Sequence, residues 1–325
     1  MRVAPSRALP VRFHHLRRAR ARVVAAVSKE VLLPNGFTVF PVSDPDIPFL
    51  YVEVFVQSAY VSHGIRLAPG DTVLDIGANV GMFALKAASL VSPGGRVLCF
   101  EPAPRAYAAL RRTLAANAAD ARVRSVDVRA LQVAVADTTG TALLTEYPHA
   151  AGWSTLSLCV DDAETAANVG AYAQAADAHE VLATAPSGLR PFLALFLAPL
   201  RRTGLYTAAV QLLSRRMLRG AREVRCEVVT VSQLLDSMAA HVPGFKCVDL
   251  LKIDVERAEL DVLRGITSQR HWASIRQAVL EVHDTDGRLG KVMQLLRQDG
   301  GFATVTSVQP SNLVGSNLYV VYATR

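Results

Sequence analysis

The residues of this chain whose types and spacing can do chemistry are carboxylates and glycines at the ends of apolar runs. The first group lies in "VLDIGANVGMF" at 73–83, where Asp75 closes an apolar stretch and Gly77, Asn79 and Gly81 follow. Gly77 and Gly81 present no Cβ, so a ligand can approach the backbone, and the helix expected next opens with free N–H groups. This is a nucleotide-type cradle. It is not the dinucleotide fingerprint, because G-x-G-x-x-G requires glycines where Asn79 and Met82 stand. A carboxylate at Asp75 also disfavours a pyrophosphate at this helix start and favours a ligand that carries positive charge.

The next apolar run, "VLCFEP", ends in Glu101, an acid placed to accept both hydroxyls of a ribose. An adenosine with a cationic amino-acid tail suits Asp75 and Glu101 together, and S-adenosyl-L-methionine is such a molecule. Either acid alone can equally be a helix cap. Within "LQVAVAD", the backbone of Ala134 and Val135 is expected beside the adenine ring edge and Asp137 beside its exocyclic amine.

The elements that must position these groups alternate in type. "DTVLDIG" (71–77), "GRVLCFEP" (95–102) and "LQVAVAD" (131–137) read as strands, with helices at "GMFALKAASL" and "AYAALRRTLAANA" (106–118). Further along come the strand "VDLLKID" (248–254), the helical "RAELDVLRGI", the strand "QAVLEVH" (277–283), a helix around "GKVMQLLRQDG", and closing strands near 302–306 and 317–323. Such alternation predicts a doubly wound, mostly parallel α/β sheet with ligands at the carboxyl ends of its strands.

Composition narrows the class. With 325 residues, 51% hydrophobic and 19% charged, the chain can bury a full core and is not disordered. Cys99, Cys159, Cys226 and Cys247 form no CxxC pair, so neither a disulfide framework nor a thiolate zinc site is indicated, and a reducing, cytoplasmic setting is expected. The net charge of +7 is concentrated in two places. One is the segment 1–35, where seven arginines precede the first acid, Glu30; it resembles a transit segment for plastid or mitochondrion, and a basic leader on a bacterial enzyme has the same composition. The other is 161–224, read as a helical insertion in the 36–325 domain, a lid or docking surface whose arginines flank "PFLALFLAPL". That apolar run is too short to span a bilayer. Weak contact of the insertion with a membrane surface or an acidic partner is expected, and simple helix packing on the sheet is the alternative. With 6% aromatic residues and no N-P-P-Y or D-P-P-Y sequence, a nucleic-acid partner is not expected.

Beyond these features the chain resembles the FkbM family of S-adenosylmethionine-dependent methyltransferases, from about residue 45 to the C-terminus without the insertion. The resemblance rests on "YVSHGIRLAPGDTVLDIGANVGMF", "FEP", "LQVAVAD" with Gly140, and above all "LLKIDVERAELDVLRGI" and "VLEVH". It implies a Rossmann-like class I methyltransferase fold with a seven-stranded sheet, and O-methylation of a hydroxyl on a small-molecule, carrier-bound or glycan acceptor. Arg257 departs from the family's usual glycine after "KIDVE" and puts close backbone approach there in doubt.

Methyl transfer to an alcohol needs in-line positioning and a base. Asp254 ends the fourth expected strand and His283 its neighbour, so the base is His283 or Asp254, with Glu256 and Lys252 orienting the pair. The bland readings are a histidine satisfied in a sheet-end network and a lysine that snorkels to the surface. Glu259 and Asp261 suit the first turn of a helix. No metal is assigned: Asp254, Glu281, His283 and Asp284 offer ligands, yet no H-x-x-H or D-x-D pattern supports one. Glu53, Tyr60 and His63 can cover the cofactor, and Ser154 and Thr155 can touch cofactor or substrate. Two other classes stay open: a binding protein on a degenerate methyltransferase scaffold, and an NAD-linked oxidoreductase, which Asn79 and Met82 disfavour.

Overall fold

A computed structural model describes residues 30–42, 46–147, 154, 156, 220–310, 314 and 316–325. In chain order the elements are β1 (Val31–Leu32), β2 (Thr38–Val39), α1 (Asp46–Tyr51) running into a π-helical turn (Val52–Val56), β3 (Thr72–Ile76), α2 (Met82–Val91), β4 (Arg96–Phe100), α3 (Pro104–Asn117), β5 (Asp127–Leu131), β6 (Ala134–Val135) and β7 (Gly140–Glu146). After the break follow β8 (Arg222–Val229), α4 (Val231–His241), β9 (Leu250–Ile253), α5 (Glu259–Arg264), α6 (Gln269–Ala273), β10 (Gln277–His283), α7 (Arg288–Gln298), β11 (Thr304–Val308) and β12 (Leu318–Thr324).

Seven strands form the main sheet in the order β11-β12-β10-β9-β3-β4-β5. The five from β10 to β5 are parallel, and β12 runs antiparallel to both of its neighbours. This is the Rossmann-like, doubly wound sheet expected. The chain leaves β3 towards β4 and β5, then returns to its other side as β9 and β10, so the topological switch lies between β3 and β9, where such sheets bind ligands. Pleating sends alternate residues to opposite faces. Leu74, Ile76, Leu98, Phe100, Leu251 and Ile253 join one buried cluster. Val73, Val97, Cys99 and Leu250 join another, with α2 and the N-terminal elements.

Two expectations need correction. The third parallel strand is Asp127–Leu131, not 131–137; Ala134–Val135 leaves the main sheet to pair with β8 in a separate three-stranded sheet, β6-β8-β7. The hydrophobic run 131–137 is read as one strand by periodicity, but its buried residues serve two sheets. The expected insertion 161–224 also ends too late, because Arg222 already pairs with Glu146 in the β7–β8 ladder. Its residues up to 219, the basic segment up to residue 29, and the contacts expected of both lie outside the described residues. Among the described residues no helix is long and apolar enough to cross a membrane.

Candidate functional site

A cleft opens at the carboxyl ends of β3, β4 and β9, where a doubly wound sheet takes its ligand. Gly77, Asn79, Glu101, Ala134, Val135, Asp254 and Glu256 all line it, so residues spread over 180 positions of sequence meet where the sequence places a ligand. Ser154 lines it as well; Thr155 lies outside the described residues. The apolar walls, Val133, Leu144, Leu156 and Val255, carry no sequence signal that separates them from core.

Gly77 is where backbone approaches backbone. Its φ is +78°, and a Cβ added there would lie 1.7 Å from the Asp254 carbonyl oxygen. Only glycine lets the chain after β3 pass this close to the chain after β9. Asn79 adopts φ +47°, and its amide donates to Glu101 Oε2 at 2.8 Å while the Ala103 amide donates to Oε1 at 2.9 Å. Both oxygens of Glu101 are thereby aimed. Burial still pushes its carboxyl up to about 7, against these two amides. Among the described residues the buried Asn79 Oδ1 atom has no hydrogen-bond partner, a polar atom left for a ligand. Gly81 does not line the cleft; at φ +91° it caps α2 and fits against Leu110, whose Cδ1 would be 2.8 Å from an added Cβ.

Two residues expected to contact the ligand do not line the cleft. Asp75 has no exposed surface and does not line the cleft. It stands opposite Lys252 in the β3–β9 register, on the face of the sheet whose Val73 and Leu250 pack with α2. Lys252 Nζ lies 3.1 Å from Asp75 Oδ1 and 3.3 Å from Asp254 Oδ2, and donates to the Gly77 carbonyl at 2.8 Å. The contact to Asp75 is ionic rather than a well-aligned hydrogen bond. Asp137 is exposed and lies beside Asp261 on α5, outside the cleft. Its strand end belongs to the small sheet, which turns it outward.

Lys252 is 2% exposed and does not snorkel. Burial works against its charge, but the two carboxylates more than offset that and raise its pKa above the ordinary value. Burial raises the Asp75 carboxyl, with the ammonium pulling against that rise. The Tyr60 ring packs edge-on to Phe83 at 5.3 Å, and its hydroxyl lies 3.2 Å from both Glu53 and Asp254. Glu53 is pushed up to about 7 by burial and by Asp254. Glu53 and Tyr60 therefore reach the reaction end of the site through Asp254, whereas His63 stacks on Tyr322 and does not line the cleft.

His283 is buried between two carboxylates, with Nε2 3.1 Å from Glu256 and Nδ1 3.0 Å from Glu259. Burial opposes its charge, but these partners raise its pKa well above the usual value. Both ring nitrogens of His283 are engaged by carboxylates and the ring does not line the cleft, whereas Asp254, the other candidate base, does. Glu256 and Arg257 both take left-handed backbone, at φ +49° and +75°. That is the conformation glycine favours, and the Arg257 amide secures it by donating to Glu259 Oε1 at 2.8 Å.

The methyltransferase FkbM domain matches residues 75–303 of this chain. The chain is 37% identical over 303 residues to the 31-O-demethyl-FK506 methyltransferase FkbM of Streptomyces tacrolimicus, covering 92% of this chain and 98% of that protein. It is 33% identical over 305 residues to the AMB antimetabolite synthetase AmbE of Pseudomonas aeruginosa, covering 91% of this chain and 12% of that protein. Among solved structures, methyltransferase FkbM from Methylobacillus flagellatus aligns with a TM-score of 0.45 at 10% identity, over 84% of this chain and 47% of that one.

Proposed function

The chain belongs to the FkbM family of S-adenosyl-L-methionine-dependent methyltransferases, and on that premise we propose that it binds this cofactor and methylates a hydroxyl oxygen of a small-molecule, carrier-bound or glycan acceptor. The observation that carries the reading is one cleft with the amide-held Glu101 at one end and Asp254 with Glu256 at the other, and with Ala134 and Val135 on its wall. The residues fit the cofactor: Gly77 leaves the backbone bare, Asn79 Oδ1 has no hydrogen-bond partner among the described residues, and Glu101 is oriented to accept paired hydroxyls. When bound, the sulfonium supplies an electrophilic methyl group for in-line displacement.

The chain's own residues then divide the work. Glu101, once ionised, takes the ribose hydroxyls. Ala134 and Val135 supply an apolar wall and strand-edge amides for the base. Asp254 accepts the proton of the acceptor hydroxyl, and Lys252 and Tyr60 hold its carboxylate in place. Glu256, fixed by His283, orients the same hydroxyl from the other side. Support for an oxygen acceptor comes from the Streptomyces tacrolimicus relative, whose name gives an O-demethylated compound as its substrate.

The test uses methyl-labelled cofactor with a panel of hydroxylated polyketides, peptides and glycans. Label on an acceptor oxygen is expected, lost in Asp254→Asn while calorimetric binding of S-adenosylhomocysteine persists. Label on nitrogen or carbon would overturn the acceptor class, and no heat with the nucleoside would overturn the cofactor.

A further inference from the structure

We infer that Glu256, Glu281 and His283 form a divalent-cation site at the acceptor end of the cleft. One ligand atom from each of the three lies within 4.8 Å of the others, a spacing that one ion can bridge. Three features distinguish this group from a cluster of acids. Its nitrogen ligand is already oriented: Glu259, fully buried, holds His283 Nδ1 at 3.0 Å, so Nε2 faces Glu256. A carboxylate on the outer nitrogen of a histidine is the arrangement that fixes a metal-binding imidazole. Second, the Glu281 carboxylate is half-buried and accepts no hydrogen bond among the described residues. The charged groups that face it are Asp254, Glu53, Glu256 and the proposed co-ligand His283. Third, the nearby cation Lys252 is already shared between Asp75 and Asp254.

One imidazole nitrogen and two carboxylates suit Mn²⁺, Mg²⁺ or Zn²⁺ and leave positions for water or a substrate oxygen. Without the ion Nε2 of His283 lies 3.1 Å from Glu256 Oε2, and the ion would sit between them with the imidazole neutral. Glu256 also lines the cofactor cleft, so the ion would polarise the acceptor hydroxyl at the point of transfer. That role rests on the methyltransferase reading; the binding itself does not.

The experiment titrates Mn²⁺ into the full chain without nucleoside and follows the free-ion signal by electron paramagnetic resonance. One site per chain is expected, with nitrogen coupling in the pulsed spectrum and competition by Mg²⁺ or Zn²⁺. Glu281→Gln should weaken it at least 10-fold, as loss of a direct ligand requires, while Asp286→Asn, on the exposed turn before α7, should leave it unchanged. An undiminished free-ion signal up to millimolar Mn²⁺, no nitrogen coupling, or equal affinity in folded Glu281→Gln would each overturn the site. Because nucleoside is absent, such a failure leaves the cofactor reading untouched.

Discussion

Lys252 Nζ and Asp75 Oδ1 stand 3.1 Å apart in the middle of the sheet, and neither side chain has appreciable contact with solvent. The sequence suggests a carboxylate for the ligand and a lysine that orients the base, and the two are paired with each other beneath the site. The pair anchors an ammonium that reaches past β3 to the Gly77 carbonyl and to Asp254, so the charge under the site is set from behind.

Removing either partner strands a buried charge. Lys252→Met is expected to cost about 3–5 kcal/mol of stability, and Asp75→Asn somewhat less because Asp254 remains with the lysine. Denaturant unfolding monitored by circular dichroism measures both. A loss under about 1 kcal/mol for Lys252→Met would mean that the ion pair does not hold the sheet centre together.

Gly77→Ala and Gly70→Ala form a contrasting pair. Both positions have positive φ, at +78° and +90°, so each alanine carries the left-handed penalty of about 1–2 kcal/mol. Gly70 has nothing within 4 Å of an added Cβ and should show only that penalty. Gly77 would drive a Cβ to 1.7 Å from the Asp254 carbonyl, so its variant should unfold or lose nucleoside binding altogether. Thermal melts and calorimetry on the two variants separate the effects.

Glu101 should make nucleoside affinity depend on pH. Its folded carboxyl titrates at about 7 against an ordinary 4.5, so the folded state holds more protons between these values. The contribution to stability is complete below pH 4.5 and is lost as pH rises through about 7. Ligand binding runs the other way, because only the ionised form accepts two ribose hydroxyls. Affinity for S-adenosylhomocysteine is expected to rise from pH 6 to pH 8 and to be flat and at least 10-fold weaker in Glu101→Gln. A wild-type titration with no slope across this range would remove the ribose role.

Glu259 is fully buried and holds both His283 Nδ1 and the Arg257 amide. Glu259→Gln keeps the shape but removes the charge, so His283 should release Glu256 and turnover should fall about 10- to 100-fold, as in other sites that lose an orienting partner. Cofactor affinity should stay within a few-fold, since Glu259 does not line the cleft. Equal losses in binding and turnover would instead mark a folding defect.

Local pattern determined much of this protein. Apolar runs ending in Asp75, Glu101, Asp254 and His283 fixed the strands and their carboxyl ends, because burial between helices demands continuous hydrophobic residues. Glycine at 77 marked a close approach, and the acid at 101 and the residues at 134 and 135, named from the sequence for a ligand, do line the cleft. Which way each charged side chain turns was decided only by tertiary structure. Pleat and register put Asp75 and Lys252 on the face whose Val73 and Leu250 pack with α2, the side sheet turned Asp137 outward, and a left-handed turn carried Glu256 to His283. Sequence spacing states how far apart two charges lie along the chain. Whether they meet, and whether water or another charge compensates them, depends on the packing of strands distant in sequence, and that packing set His283 between Glu256 and Glu259.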